Sequence, residues 1–600
     1  MVDQTVPGLS PREYWSNAEK ARFISQDRSH VKSPADALDA RRALDDELDA
    51  VVLVISSIRA RYNALSPVNH LPPETLAHVF HFLRDSDTHD LLSDEFGLIG
   101  LASPSLSQSI GWIQVTHVCR QWRAAALEHP ALWSNITPGL GSRWRKEFLC
   151  RSKMAPIAIR YSEAAGYSLQ RDFTGDLAAD IAHHLPHVKE LSLGGTLEDF
   201  TPVMPALRGP APLLEVLSLE VLDPAISASD MPTLPLDIFG GSAPRIRELT
   251  LTRWRVSWLS IAFETLVHLR ITQFVSDAVF DGGDLGQLLV ALQKIPALET
   301  LTLENTMPSQ PIGVTPHSIC GPITTLPRLR SLRLVDEIRN CGLILKHVIV
   351  PATADCFVLC RHHNQDSDFL LPWLSMRLDV STTIRGLSIK EILNGLQVLV
   401  STHGGTDACH FPTSRPEYST LHDDNELLFE LVLISGNREP TSLSFIQTLV
   451  RALPLEDLEA LSVSCSVVWE PRDWPTLFGM CNNLRLLEVG SSCVVPLCEL
   501  FLKGIAQEER VQTLPRLEEL TVSGVHFGKQ RGFRDGFPEW LEHQESLKKL
   551  TISRCTVDAE LVDRLKGIVF EVVWDGHLHD LDDESELESE LDSPIDLMGW

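Results

Sequence analysis

One short phrase constrains the fold of this chain more than any other feature: an apolar residue, two others, a leucine, one residue, and a second apolar residue. It appears as Val188-x-x-Leu191-x-Leu193, Leu214-x-x-Leu217-x-Leu219, Ile246-x-x-Leu249-x-Leu251, Leu266-x-x-Leu269-x-Ile271, Leu298-x-x-Leu301-x-Leu303 and Leu329-x-x-Leu332-x-Leu334. It returns as Ile384-x-x-Leu387-x-Ile389, Leu428-x-x-Leu431-x-Leu433, Leu458-x-x-Leu461-x-Val463, Leu484-x-x-Leu487-x-Val489, Leu517-x-x-Leu520-x-Val522 and Leu547-x-x-Leu550-x-Ile552. The residue between the last two apolar positions is Ser192, Ser218, Thr250, Arg270, Thr302, Arg333, Ser388, Val432, Ser462, Glu488, Thr521 and Thr551, polar in eleven of twelve cases. Successive side chains of a strand point to opposite faces, so this alternation prescribes strands with one buried and one wet face. In six units a proline (Pro186, Pro212, Pro244, Pro296, Pro327, Pro515) stands two residues ahead of the first apolar position, where its fixed φ suits a turn into the strand.

Most neighbouring units lie about 20 to 33 residues apart, the length of one strand and one return. The pattern resembles leucine-rich repeats. That resemblance implies an α/β repeat fold, an irregular leucine-rich-repeat-like solenoid of parallel strands with helical or irregular returns over residues 161–573. An Asn or Cys commonly bonds the turn after the strand in such repeats, and here Asn305 and Cys465 stand in that place. The phrase is sparse between Val335 and Leu428, so a break or insertion is expected in the middle of an irregular horseshoe. Its concave face would carry Ser192, Ser218, Thr250, Arg270, Thr302 and Arg333 as contacts for a target protein, with loops at the strand ends contributing.

Upstream, Leu71 to Trp133 holds two short amphipathic patterns. Leu76, Val79, Phe80 and Leu83 recur at i, i+3, i+4 and i+7, and Pro72-Pro73 suits an opening helical turn. Val115, Val118, Cys119, Trp122 and Ala126 repeat the spacing, Pro130 marks the stop, and Leu132-Trp133 follow. So small a cluster is marginal alone, and its apolar stripes suit completion by another chain or domain. Leu71-Pro72-x-Glu74, Phe80, Leu83, Val118-Cys119-x-x-Trp122-Arg123 and Leu132-Trp133 resemble the F-box motif in the form common in large fungal F-box proteins. The segment Arg84–Ile110 is longer than that family's usual connection and, being rich in Asp, Ser and Leu, reads as a surface loop. The resemblance implies a small all-α domain that docks a Skp adaptor, and through it a cullin, by way of Leu71, Pro72, Leu76, Phe80, Val118, Trp122, Leu132 and Trp133.

Between the N-terminus and this domain lies a seam of Leu44, Leu48, Val51, Ile55, Ile58, Tyr62 and Leu65, spaced by alternating fours and threes as in a coiled coil. Ser33, Pro34 and Asp36 form a capping-box-like start. The seam is read as folding back on the rest of the chain, with pairing between copies as the alternative. The organisation is therefore a flexible tail over 1–32 with a short helix around Tyr14 to Phe23, a heptad-patterned helix over 33–66, and the F-box domain over 67–137 with its insert at 84–110. A connector over 138–160, the repeat region, and an acidic tail over 574–600 complete it. From Asp575 to Asp596 ten residues are acidic and none is Lys or Arg, a composition that favours disorder.

A net charge of -28 argues against a phosphate backbone as partner, because such binding needs clustered Lys and Arg. The longest uncharged apolar run, Ala50 to Ile58, falls well short of the roughly twenty residues of a membrane span, and Met1 to Ser10 lacks the marks of a secretory signal. Cytoplasm or nucleus is the expected location. Twelve cysteines without a C-x-x-C pair read as reduced, buried thiols; Cys356, Cys360, His362 and His363 fit no zinc knuckle. With no catalytic or cofactor motif, the expected function is non-enzymatic: a substrate-receptor subunit of a Skp–cullin–F-box ubiquitin ligase. A protein-binding scaffold without a ligase role is the alternative.

Overall fold

The computed structural model describes residues 10–23, 33–92, 111–136, 141–162, 175–223, 230–258, 264–273, 284–307, 321–361, 367–378, 383–392, 395–404, 427–434, 443–465, 469–490, 493–506, 514–528 and 531–576. They fall into two compact units, one comprising the residues up to Leu92 together with Gly111–Leu132, the other running from Trp133 onward. The acidic tail beyond Gly576 and most of the insert, 93–110, lie outside the described residues.

The first unit is helical. After a helix over Pro11–Phe23 comes a 31-residue helix, Pro34–Ala64. Its start is the expected capping box: the Ser33 hydroxyl accepts from the Asp36 N–H at 3.2 Å, and the Asp36 carboxylate accepts from the Ser33 N–H at 2.9 Å. No residue of this helix is buried among the described residues, which leave its seam uncovered. A 3-10 turn, Pro67–His70, leads to the helix Pro73–Leu92. This helix corrects the expected loop at Arg84, since it runs on through the first nine residues of the insert. Arg84 is largely buried and donates through Nη1 to the Ala131 carbonyl at 2.7 Å, which anchors the helix beyond Leu83. The second pattern is also corrected: Gly111–His117 is a 3-10 stretch, and the α-helix proper is Arg120–Glu128. A last 3-10 turn covers Pro130–Trp133.

The second unit is built on one 17-stranded sheet flanked by helices. Nine strands follow one another in parallel, Asn135–Ile136, Ile157–Ser162, Val188–Gly195, Val216–Val221, Glu248–Thr252, His268–Thr272, Thr300–Glu304, Ser331–Glu337 and Asp355–Arg361. The sheet thus begins at Asn135, inside the stretch read as F-box and connector. Register is set by the leucine phrase: Leu191, Leu217, Leu249, Leu269, Leu301 and Leu332 align in one row, and Leu193, Leu219, Leu251, Ile271, Leu303 and Leu334 in the next. Both rows are essentially fully buried. Burial of such side chains is worth roughly 1.5–3 kcal/mol each, and a one-residue slip would turn every one of them outward.

The prolines act as expected. Leu214, Ile246, Leu298, Leu329 and Leu517 each donate a backbone N–H three residues back, to Ala211, Ala243, Ile295, Leu326 and Leu514, with proline as the second residue of the turn.

The middle of the sheet contains the reversal that the sparse phrase marked. Strands Gly386–Ile392 and Gly395–Ser401 form an antiparallel hairpin, and Leu427–Ile434 inserts between that hairpin and Asp355–Arg361. Gly395 permits this close return, because a side chain there would collide with the Leu433 carbonyl. Parallel order then resumes from Gly386–Ile392 to Ala460–Ser464, Leu486–Gly490, Glu519–Ser523, Lys549–Ser553 and Glu571–Trp574. One strand went unmarked by the phrase, and one phrase assignment needs correction. Asp355–Arg361 is a strand of the series in which Cys356 and Val358 take the leucine positions, and in Leu427–Ile434 it is Leu431 that aligns with Val358, displacing the expected frame by two residues.

Candidate functional site

In the first unit, Leu76, Ala77, Phe80 and Arg84 form the buried stripe of the helix Pro73–Leu92. The Trp122 ring lies 5.2 Å from that of Phe80, and its indole N–H donates to Asn69 Oδ1 at 2.8 Å. Asn69 ties the linker down further: its Nδ2 donates to the Asn63 carbonyl at 2.5 Å, and its own carbonyl accepts from Gln121 Nε2 at 2.8 Å. Cys119 precedes the helix, its Sγ accepting from the Trp122 N–H at 3.5 Å. Val118 therefore sits outside the helix rather than on its stripe.

These contacts sort the eight residues expected to meet an adaptor. Leu76, Phe80, Leu132 and Trp133 are at most 2% exposed and belong to the interior. The Trp133 ring packs within the second unit, 5.1 Å from Phe148 and under the Arg151 guanidinium at 4.8 Å. Leu71 and Trp122 are half-buried, while Pro72 and Val118 are exposed, Val118 by 57%. Val68, Val79, Phe82 and Leu83 are exposed apolar residues of the same unit that were not among the expected contacts. The signal was present in the width of the Leu76–Val79–Phe80–Leu83 stripe, which exceeds what one small helix can cover.

Val118 borders two open clefts. One, of about 430 Å³, is lined by Tyr62, Leu65, Val68, Asn69 and Trp122; the other, of about 680 Å³, by Leu83, Trp112, Val115 and His117. Nearby, burial holds the His81 imidazole below its ordinary value, with the Arg84 charge acting in the same direction. What this surface offers is apolar area and shape, which suit a protein partner.

In the second unit the expected target-contact residues share one register row, Ser192, Ser218, Thr250, Arg270, Thr302 and Arg333, on the side opposite the leucine rows. The row continues into Phe357 and Glu430. Arg333 is engaged locally, its Nε donating to Glu304 at 2.6 Å while its guanidinium lies 4.2 Å over the Phe357 ring. Beside them Val335, Leu359 and Val432 form a small buried apolar cluster, with Phe357, Ile392 and Ile434 packed against it. This second core at the reversal was not expected, although Val432 was the one apolar exception in the wet row.

Asp336 is buried close by, accepting from the backbone N–H groups of Met307 (3.2 Å) and Glu337 (2.7 Å) and from Asn340 Nδ2 (2.9 Å). Burial raises its carboxyl above the usual range, and these hydrogen bonds oppose the rise. Cys356 and Cys360 are buried, and burial pushes the Cys356 thiol up to about 11; His362 and His363 lie outside the described residues. Among the described residues no group of three His, Cys, Asp or Glu side chains is placed to hold a metal ion, and no helix is long and apolar enough to cross a membrane.

Residues 68–138 match the F-box-like family. No curated protein matches the chain.

Proposed function

We propose that the F-box-like domain at residues 68–138 makes this chain the substrate-receptor subunit of a Skp–cullin–F-box ubiquitin ligase. The observation that carries the reading is the exposed apolar surface around Val118, with Val68, Pro72, Val79 and Leu83, in a unit whose own interior is already filled by the buried Leu76, Phe80 and Leu132, with the half-buried Trp122 packed on Phe80. Exposed apolar area beyond what a small domain needs for its own core is the mark of a partner site. The Skp adaptor is the partner that F-box domains generally bind.

The large sheet unit is read as the target-binding part, a leucine-rich-repeat-like solenoid. Its register supports that reading, since successive strands repeat the same leucine pair in parallel over long runs. The row from Ser192 to Arg333 and the adjoining Phe357 give it a mixed polar and aromatic face. In this account the protein performs no bond chemistry and contributes proximity, raising the effective concentration of a target near a conjugating enzyme.

Co-purification tests the reading. The full chain should retain the Skp adaptor and a cullin, and Val118→Asp should lose both while remaining folded. Adaptor without cullin would favour the scaffold function, and neither would remove the ligase assignment.

A further inference from the structure

The helix Pro34–Ala64 presents its whole seam to solvent: Leu44, Leu48, Val51, Ile55, Ile58 and Tyr62 are between 42 and 77% exposed. Six large apolar side chains on one stripe, spaced for knobs-into-holes packing, need a cover. The charges on the same helix say which cover fits. Its first half carries Asp36, Asp39, Asp45, Asp46, Glu47 and Asp49 against Arg41 and Arg42, whereas beyond Ala50 the only charges are Arg59 and Arg61. A parallel pairing of two copies would lay acidic run beside acidic run and arginine beside arginine.

We infer that two copies of this chain pair antiparallel through this helix, about a two-fold axis near Leu53. The seam closes in that register and the charges match. With Leu44, Val51 and Ile58 at d and Leu48, Ile55 and Tyr62 at a, the layers are Leu44 on Tyr62, Leu48 on Ile58 and Val51 on Ile55 of the second copy, each occurring twice by symmetry. At 1.5 Å per residue they span roughly 27 Å. The flanking e and g positions, which set orientation, then bring Asp45 beside Arg59 and Glu47 beside Arg61 of the second copy, again twice each. The positions that meet themselves at the axis are Val52 and Val54, so no charge faces its own copy there. Within the chain, Asp45, Arg59 and Arg61 hold no ion pair among the described residues, while Glu47 accepts from Arg22 Nε at 2.7 Å. Asp45 and Arg59 are therefore the pair to test. The inference stands whether or not the domain beside it binds a Skp adaptor.

The experiment is sedimentation equilibrium of the full chain over a micromolar concentration series. The wild type should show a reversible dimer of about twice the 66.8 kDa chain mass. Val51→Asp should run as a monomer with the far-UV spectrum of its sheet unit unchanged. Arg59→Glu sets two like-charge contacts in place of two attractive ones and should weaken the dimer about tenfold. Adding Asp45→Arg to it should return the dissociation constant to within about threefold of wild type, because only antiparallel chains bring these positions together. A wild-type monomer throughout the series, a dimer indifferent to Val51→Asp, or a double variant no tighter than Arg59→Glu alone would each overturn the proposal.

Discussion

Replacing Phe80 by alanine separates packing from docking in the first unit. The ring is fully buried and pairs with Trp122 at 5.2 Å. A buried Phe→Ala change costs about 3–5 kcal/mol, and loss of the aromatic pair adds roughly 0.5–1.5 kcal/mol. Against a typical domain stability of about 5–15 kcal/mol, that removes roughly a quarter or more of what holds the unit together. Amide exchange read by mass spectrometry resolves the effect by region. Peptides from Pro73–Leu92 and Arg120–Glu128 should lose about two and a half to four and a half orders of magnitude in protection, since each 1.4 kcal/mol is a factor of ten. Strands such as Glu248–Thr252, in the other compact unit, should exchange as before. Unchanged protection with adaptor binding lost would refute the assignment of Phe80 to the interior and return it to the partner surface.

Three further outcomes follow from the second unit. Arg145 is buried and its Nε meets Asp180 at 2.6 Å, so Asp180→Asn leaves a buried guanidinium without its counter-charge and should cost about 3–5 kcal/mol in denaturant unfolding. Asn305 holds a left-handed backbone (φ 56) and donates through Nδ2 to the Gln273 carbonyl at 2.6 Å; Asn305→Ala should lose about 1–3 kcal/mol, and Asn305→Gly less, because glycine keeps the backbone. His184 and His187 stack with Nδ1 and Nε2 2.8 Å apart, and burial, aided by neighbouring imidazoles, holds both below the ordinary imidazole value. The unfolded chain then takes up protons first as pH falls, so stability present at neutral pH should decline from about pH 6.5 downward and level off once the folded imidazoles charge. Denaturant midpoints at pH 7 and 5 should differ less in His184→Asn/His187→Asn.

The parts of the fold legible in the sequence are those fixed by local chemistry. Alternation of Leu191 with Ser192, or Leu249 with Thr250, dictates which face of a strand is buried, and Ser33 with Asp36 dictates where a helix begins. The proline turns were readable for the same reason, since φ is set by the residue itself. What escaped was decided by partners distant in sequence. The strand Leu427–Ile434 is apolar at nearly every position, so its frame comes from Asp355–Arg361 and not from its own period. The helix beyond Leu83 persists because Arg84 finds the carbonyl of Ala131, forty-seven residues on. Likewise Leu76 and Val118 look equivalent as members of an apolar pattern, and only the packing of Phe80 on Trp122 and the cap at Cys119 put one inside and the other outside.

The measurement that bears most directly on the proposed function is the affinity of the purified chain for a Skp adaptor, by calorimetry, for the wild type and for Val118→Asp. A charge placed at the centre of an apolar contact should weaken binding by at least about a hundredfold, roughly 3 kcal/mol, with no change in the unfolding midpoint. Wild-type affinity in the variant, or no binding by the wild type at all, would contradict the account.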